Sequence, residues 1–309
     1  MTPATWIKRG RLCDGFTGAW ASTHAALPVV EAIAGGGHRV YFSARDDRGR
    51  ARIGWADTNL AAASAEWRVS AAPAIDLGPL GSFSDSGVTS SCLVAHGGVK
   101  YQFYTGWSLG VSVPFYLNAG LAISDDGGRS FRPVSDAPLL DRSDVDPFLT
   151  ASPWVLIEGG VWRMWYVSGL AWTISGGRPM HRYHIRYAES RDGLRWDRRG
   201  IVCIDFKSDD EYAIARPCVV RDRDMYRMWY AYRGRRYRIG YAESADGVVW
   251  TRMDECAGLD VSPGDWDGDM IEYPCVVDAG GRRLMLYNGN DYGRTGIGLA
   301  EMTAGAAPR

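Results

Sequence analysis

Long apolar runs, paired cysteines and a dominant charge sign are all missing from this sequence. No stretch approaches the roughly 18 uninterrupted apolar residues of a helical membrane span, and the opening MTPATWIKRGRLCDGF has no apolar core of a secretory leader. A cytoplasmic location is the resulting expectation. Lysine plus arginine number 35 against 36 aspartates and glutamates, so nothing draws the chain toward nucleic acid or an anionic membrane. Six cysteines (Cys13, Cys92, Cys203, Cys218, Cys256, Cys275) form no CxxC pair and no metal-ligand spacing, which points to reduced, mostly buried thiols. A Walker loop and a dinucleotide-binding glycine fingerprint are also absent, so any nucleotide would be held by side chains. The sequence implies no cofactor, assigns no metal ligands while leaving a central cation open, since His24 and scattered carboxylates are too weak a cluster to claim, and leaves the oligomeric state open.

Glycine and aromatics are plentiful instead: 38 glycines, 13 tryptophans and 16 tyrosines in 309 residues suit a turn-rich β protein that takes a small ligand. RMWYVSG at 163–169 returns as RMWYAYR at 227–233. Stepping back 12 residues from Tyr41, Tyr104, Tyr166, Tyr230 and Tyr287 reaches Val29, Cys92, Trp154, Cys218 and Cys275, each in a short apolar run. Successive tyrosines lie 63, 62, 64 and 57 residues apart, a spacing that suits propeller blades with sizeable loops. A third segment follows each tyrosine and carries a shared small residue: Ala56, Ala122, Ala188, Ala242 or Ala300. Asp-Gly turns and then an aromatic (Trp67, Phe131, Trp196, Trp250) announce a fourth strand in four units. WIKRGRLC at 6–13 reads like WDRRGIVC at 196–203, so the first segment is expected to supply the fourth strand of the last unit. The predicted fold is all-β: one five-bladed β-propeller domain over 1–309, its ring closed by the N-terminal strand pairing with the last blade.

In a propeller, the segments leading into the innermost strands surround the mouth of a central channel. Asp85, Asp146, Glu211 and Asp269 stand six to eight residues before their reference positions, and His24 takes that place in the first unit. Two residues before the reference come Ser90, Ser152, Arg216 and Tyr273, polar groups at the start of apolar strands. Beyond the tyrosines, Arg45, Trp107, Arg233 and Asn290 offer stacking faces and planar donors suited to sugar rings and anions. Arg216 could instead pair with Glu211 or Asp146. His181 and His184 read as loop and strand-edge residues, and Tyr292 and Arg294 as part of a hairpin turn.

Five repeated units with acids ordered Asp, Asp, Glu on consecutive blades resemble the five-bladed propeller glycosidases, namely the arabinanase and β-xylosidase group and the invertase and levansucrase group. The resemblance implies that Asp85 is base or nucleophile, that Asp146, in DVDP, tunes the acid, and that Glu211 is the general acid. Val145 stands where the invertase group's Arg-Asp-Pro signature has arginine, and no segment is left for that group's extra β-sandwich. The repeated phrasing is also similar to glycosidase-like bacterial propeller proteins without a characterised activity, some of them associated with surface-polysaccharide synthesis. The implied activity is glycoside processing, with inversion, on a small or terminal sugar unit. Two alternatives stay open: a phosphorylase or glycosyltransferase using a sugar nucleotide, with Arg45, Arg216, Arg233 and Arg294 on its phosphates, and a sugar-binding propeller without catalysis.

Overall fold

The computed structural model describes residues 5–15, 20–61 and 66–303, and nearly all of its regular structure is strand. After β1 (Trp6–Cys13) comes a first meander of β2 (Thr23–Ala32), β3 (His38–Arg45), β4 (Ala51–Thr58) and β5 (Arg68–Val69). The second is β6 (Gly87–His96), β7 (Val99–Leu109), β8 (Phe115–Ser124) and β9 (Arg132–Pro133). The third holds β10 (Thr150–Glu158), β11 (Val161–Ser175), β12 (Arg178–Ser190), β13 (Trp196–Asp197) and β14 (Val202–Ile204). β15 (Ala213–Asp222), β16 (Met225–Arg233), β17 (Tyr237–Ser244) and β18 (Thr251–Arg252) make the fourth; β19 (Glu272–Ala279), β20 (Arg282–Asn288) and β21 (Ile297–Met302) make the fifth. As the resemblance of 6–13 to 196–203 predicts, β1 pairs antiparallel with β21, Trp6 opposite Met302.

Single parallel bridges, Ala51 with Gly87 and Tyr183 with Ala213, join the first meander to the second and the third to the fourth. Side chains do the rest of the joining. Each consecutive pair of meanders shares a hydrophobic core, and so do the fifth and the first: Val40 and Phe42 pack with Cys275, Leu284 and Leu286. The strand alternation of period two sends neighbouring residues of one strand to opposite partners. Met228 and Tyr230 face the third meander, while Trp229 faces the fifth. The five shared alanines are fully buried where the sheets approach. All six cysteines are free, four of them buried.

One repeat register differs from expectation. Tyr104, Tyr230 and Tyr287 each lie opposite a glycine of the next strand, Gly120, Gly240 and Gly298, whose missing side chain makes room for the ring. In the first meander that glycine, Gly54, is opposite Phe42, and Tyr41 is opposite Trp55. The equivalent of the core tyrosines is therefore Phe42, 13 residues after Val29. The β2–β3 connection, with its 3-10 segment Ala34–Gly36, puts one more residue between the reference position and the core aromatic than the other units have. Because a one-residue offset reverses the face, Tyr41 turns to the second meander and donates to Glu31 and to the Gly128 carbonyl.

All five innermost strands carry a β-bulge at one height, between Ala26 and Val29, Ser90 and Cys92, Ala151 and Trp154, Ala215 and Cys218, and Glu272 and Cys275. In four of them the bulged residue is left-handed: Leu27 (φ 51), Ser152 (φ 47), Arg216 (φ 55) and Tyr273 (φ 55). Each precedes a proline, Pro28, Pro153, Pro217 or Pro274. A bulge leaves one backbone group out of the ladder, and proline has no N–H to strand there. The bend re-aims the start of each strand, and a left-handed residue of this kind costs about 1–3 kcal/mol that the surrounding packing must supply.

Candidate functional site: an axial cavity

The bulged strand starts surround a cavity of ≈ 480 Å³ whose lining comes from all five meanders. His24, Leu27, Ser152 and Tyr273 enter it from the innermost strands. The second strands contribute at fixed steps past the core aromatic: Ser43, Thr105 and Val167 at one residue, Arg45, Trp107 and Arg233 at three. Trp107 can lie across the sheet because its cross-strand partner is Gly87, where a Cβ would fall 1.9 Å from the indole nitrogen.

A run of rings forms one wall. Phe115 contacts Trp172 and His181, His181 stacks flat on Tyr183 at 4.6 Å, and Tyr237 meets Tyr273 and Tyr292. The Tyr183 and Tyr237 hydroxyls hydrogen-bond at 2.7 Å. His181 and Trp172 belong to the long hairpin of β11 and β12, so His181 is a cavity residue rather than a loop residue. Tyr292 rides on a turn at Asn290–Gly293 in which Asp291 and Tyr292 are left-handed, in keeping with the turn expected there.

Burial, with Arg233 adding to it, pushes His181 down to about 4. Burial followed by Arg45 and Arg294 does the same to His24, also to about 4. Both imidazoles are therefore neutral near pH 7. Burial likewise raises the Tyr183, Tyr237 and Tyr273 hydroxyls, which stay protonated.

Of the residues singled out from sequence, His24, Arg45, Trp107, Ser152, Arg233 and Tyr273 line this cavity. Ser90 is buried behind it and accepts a hydrogen bond from Gln102 Nε2. Asn290 holds the Asp269 and Met270 amides, and Asp269 itself pairs with Arg236 at the surface. Arg216 pairs with neither Glu211 nor Asp146. It is fully buried and donates to the carbonyls of Pro28, Ser90 and Ser91, tying the first two meanders to the fourth.

The three carboxylates of the expected catalytic set do not meet in the cavity: no carboxylate is among its described lining residues, and the three share no hydrogen-bonding partner. Asp85 caps its own loop through the Gly81 amide and Ser86 hydroxyl. Glu211 is gripped by both terminal nitrogens of Arg252, at 2.7 and 2.8 Å. Asp146 is completely buried against Arg198, Arg186, Tyr166 and Ser168. Its register gives the reason. Eight residues before the reference position, Asp146 and Asp267 accept from the core tyrosines Tyr166 and Tyr287, and each pairs with a cation, Arg198 or Lys8. Tyr230 with Asp254 and Arg252 repeats the device from another loop. These carboxylates satisfy hydroxyls buried between sheets.

Among the lining residues that were not anticipated are Ala51, Leu117, Tyr183 and Tyr237. Each stands five residues before the shared alanine of its third strand, so the repeat itself held the signal.

The architecture is that of the propeller-fold glycoside hydrolases. BT0996, solved as an RGII complex, superposes with a TM-score of 0.76 over 98% of this chain and 93% of that one at 17% identity. A thermostable family-43 glycoside hydrolase gives 0.66 over 94% and 93% at 16% identity. The Bombyx mori GH32 β-fructofuranosidase BmSUC1 gives 0.65 over 95% of this chain and 61% of that one at 14% identity. No family model matches the chain. In sequence it belongs to the family of two Mycobacterium tuberculosis proteins, Uncharacterized protein MT1551 (strain CDC 1551 / Oshkosh) and Uncharacterized protein Rv1502 (strain ATCC 25618 / H37Rv). They are 45% and 44% identical to it over 296 residues, which is 96% of this chain and 98% of each relative.

Proposed function

We propose that this chain is a glycosidase-like five-bladed propeller, its five meanders forming one ring closed by β1, which takes a small or terminal sugar unit into its axial cavity. One observation carries the reading: strand starts from all five meanders converge on a single cavity whose walls combine aromatic faces with hydroxyl, imidazole and guanidinium donors. Flat apolar rings cover the C–H faces of a pyranose, while fixed donors and acceptors sort its hydroxyls. The test is a thermal-shift screen of the full chain against neutral and charged mono- and disaccharides, repeated on Trp107→Ala. Stabilisation by a saccharide, reduced by that substitution, is expected. A chain that responds to none of them refutes the reading.

Cleavage is the finer part of the proposal. Inverting hydrolysis needs a protonated and an ionised carboxyl about 6.5–9.5 Å apart across the scissile bond. For Asp85, Asp146 and Glu211 to supply them, Glu211 would have to leave Arg252, and Asp146 both of its arginines. Those ion pairs favour the second reading, saccharide recognition without hydrolysis. Long incubation with the stabilising saccharide, its products followed by chromatography, separates the two. Turnover that disappears in Asp85→Ala and Glu211→Gln while the fold persists would establish the catalytic reading. No product from the parent chain would establish the recognition reading.

A further inference from the structure

Arg233 is a cation without a counterion. Several buried or half-buried arginines elsewhere in this chain are paired with carboxylates: Arg39 with Asp57, Arg52 with Asp46, Arg252 with Glu211, Arg283 with Asp222. Arg233 makes no ion pair among the described residues. Its Nη1 donates to the Tyr292 hydroxyl at 2.6 Å, and its guanidinium sits over the rings of Tyr212, Tyr237 and Tyr292 at 5.3, 5.2 and 5.8 Å. Its Nε is buried with no hydrogen-bond partner, and so is Nε2 of His181, a second lining residue close enough for the arginine's charge to act on it. Arg45 lines the same cavity and is likewise unpaired among the described residues, with Arg294 near enough to act, as Arg45 does, on His24.

Two carboxyls lie close by. Glu272 is fully buried beside Tyr273 and Asn288, and its burial favours the neutral acid. Asp291 is exposed on the turn beside Tyr292. Neither is within ion-pair distance of Arg233. A cavity with apolar aromatic walls, two lining arginines and no lining carboxylate concentrates a positive potential. A neutral sugar would strip water from Arg233 without replacing it, whereas an oxyanion would accept charge-assisted hydrogen bonds from the guanidinium fork.

We propose that the saccharide received by this cavity carries an oxyanion, a carboxylate or a phosphoryl group, seated on Arg233 and His181, with Arg45 adding a second cation to the lining. This rests on the reading of the cavity as the sugar site, yet it can fail separately.

The experiment is calorimetric titration of the full chain with glucose, glucuronic acid, glucose 1-phosphate, uridine diphosphate glucose and inorganic phosphate. Charged saccharides are expected to bind at least tenfold more tightly than glucose. Arg233→Met should erase that difference, and Arg45→Ala, at an exposed position where folding is not at risk, should reduce it. Glucuronic acid outranking the phosphate esters assigns a carboxylate, and the reverse order a phosphoryl group; either supports the proposal. Glucose binding as tightly as its charged counterparts overturns the proposal and leaves the sugar reading intact. Inorganic phosphate binding in an Arg233-dependent way, with no gain from any sugar, supports the anion site and overturns the sugar reading. No binding of any anion overturns the proposal outright.

Discussion

Replacing Asp146 with alanine separates a structural carboxylate from a catalytic one. Its carboxylate is 2.9 Å from Arg198 and 3.4 Å from Arg186, whose side chains are 18% and 14% exposed. It also accepts hydrogen bonds from Tyr166 at 3.0 Å and Ser168 at 2.6 Å. Removing one member of a buried ion pair costs about 3–5 kcal/mol, because the partner charge stays desolvated. The hydrogen bonds from Tyr166 and Ser168 are made to the same carboxylate and are lost with it, within that penalty. Rehydration of Arg198 through its exposed part returns some of this, leaving an expected loss of about 4 kcal/mol. Asp85, which caps an exposed loop through two hydrogen bonds, should cost about 1 kcal/mol when changed to alanine. Urea unfolding followed by tryptophan fluorescence measures both. The reasoning is refuted if Asp146→Ala stays within about 1 kcal/mol of the parent.

Gly240→Ala would set a Cβ 2.4 Å from the buried Tyr230 ring and is expected to cost about 1–3 kcal/mol by overpacking, while Gly37→Ala, whose Cβ meets nothing closer than 3.4 Å, should be near neutral. Equal urea midpoints for the two variants would contradict the tight sheet approach at the core tyrosines. Stability should also depend on pH through the cavity histidines. His181 and His24 protonate at about 4 in the folded chain and near 6.5 when unfolded, so the unfolded chain takes up protons first as pH falls. Their contribution is complete above about pH 6.5 and declines toward pH 4. Melting temperatures from pH 7.5 to 4.5 should fall less steeply in His181→Gln than in the parent, and parallel curves would refute the assignment.

The repeat was legible because it is written in local chemistry. Short apolar strands, Asp-Gly turns and a small residue at each sheet contact recur in the chain as they recur in space, and even the pairing of 6–13 with the last meander could be read from its likeness to 196–203. Ser152 and Tyr273, and Trp107 and Arg233, reached the cavity for the same reason: equal steps from a shared landmark give equal heights in equivalent strands. Counting failed where direction mattered. One extra residue between the reference position and the core aromatic turned Tyr41 to the opposite face and gave its place to Phe42. Asp146 and Glu211 stand at the right distance from the landmark, but their partners come from remote segments, Arg198 in one case and Arg252 in the other. No local pattern says which of two nearby arginines a carboxylate will meet, or that Arg216 will spend its donors on three backbone carbonyls while Arg233 keeps its charge unpaired. The sequence by itself determined the unit and its repetition, since both follow from strand periodicity and turn residues. Only the tertiary structure decided which charges are neutralised and which face the cavity, because that depends on how the bulged strands aim their side chains once the sheets have packed.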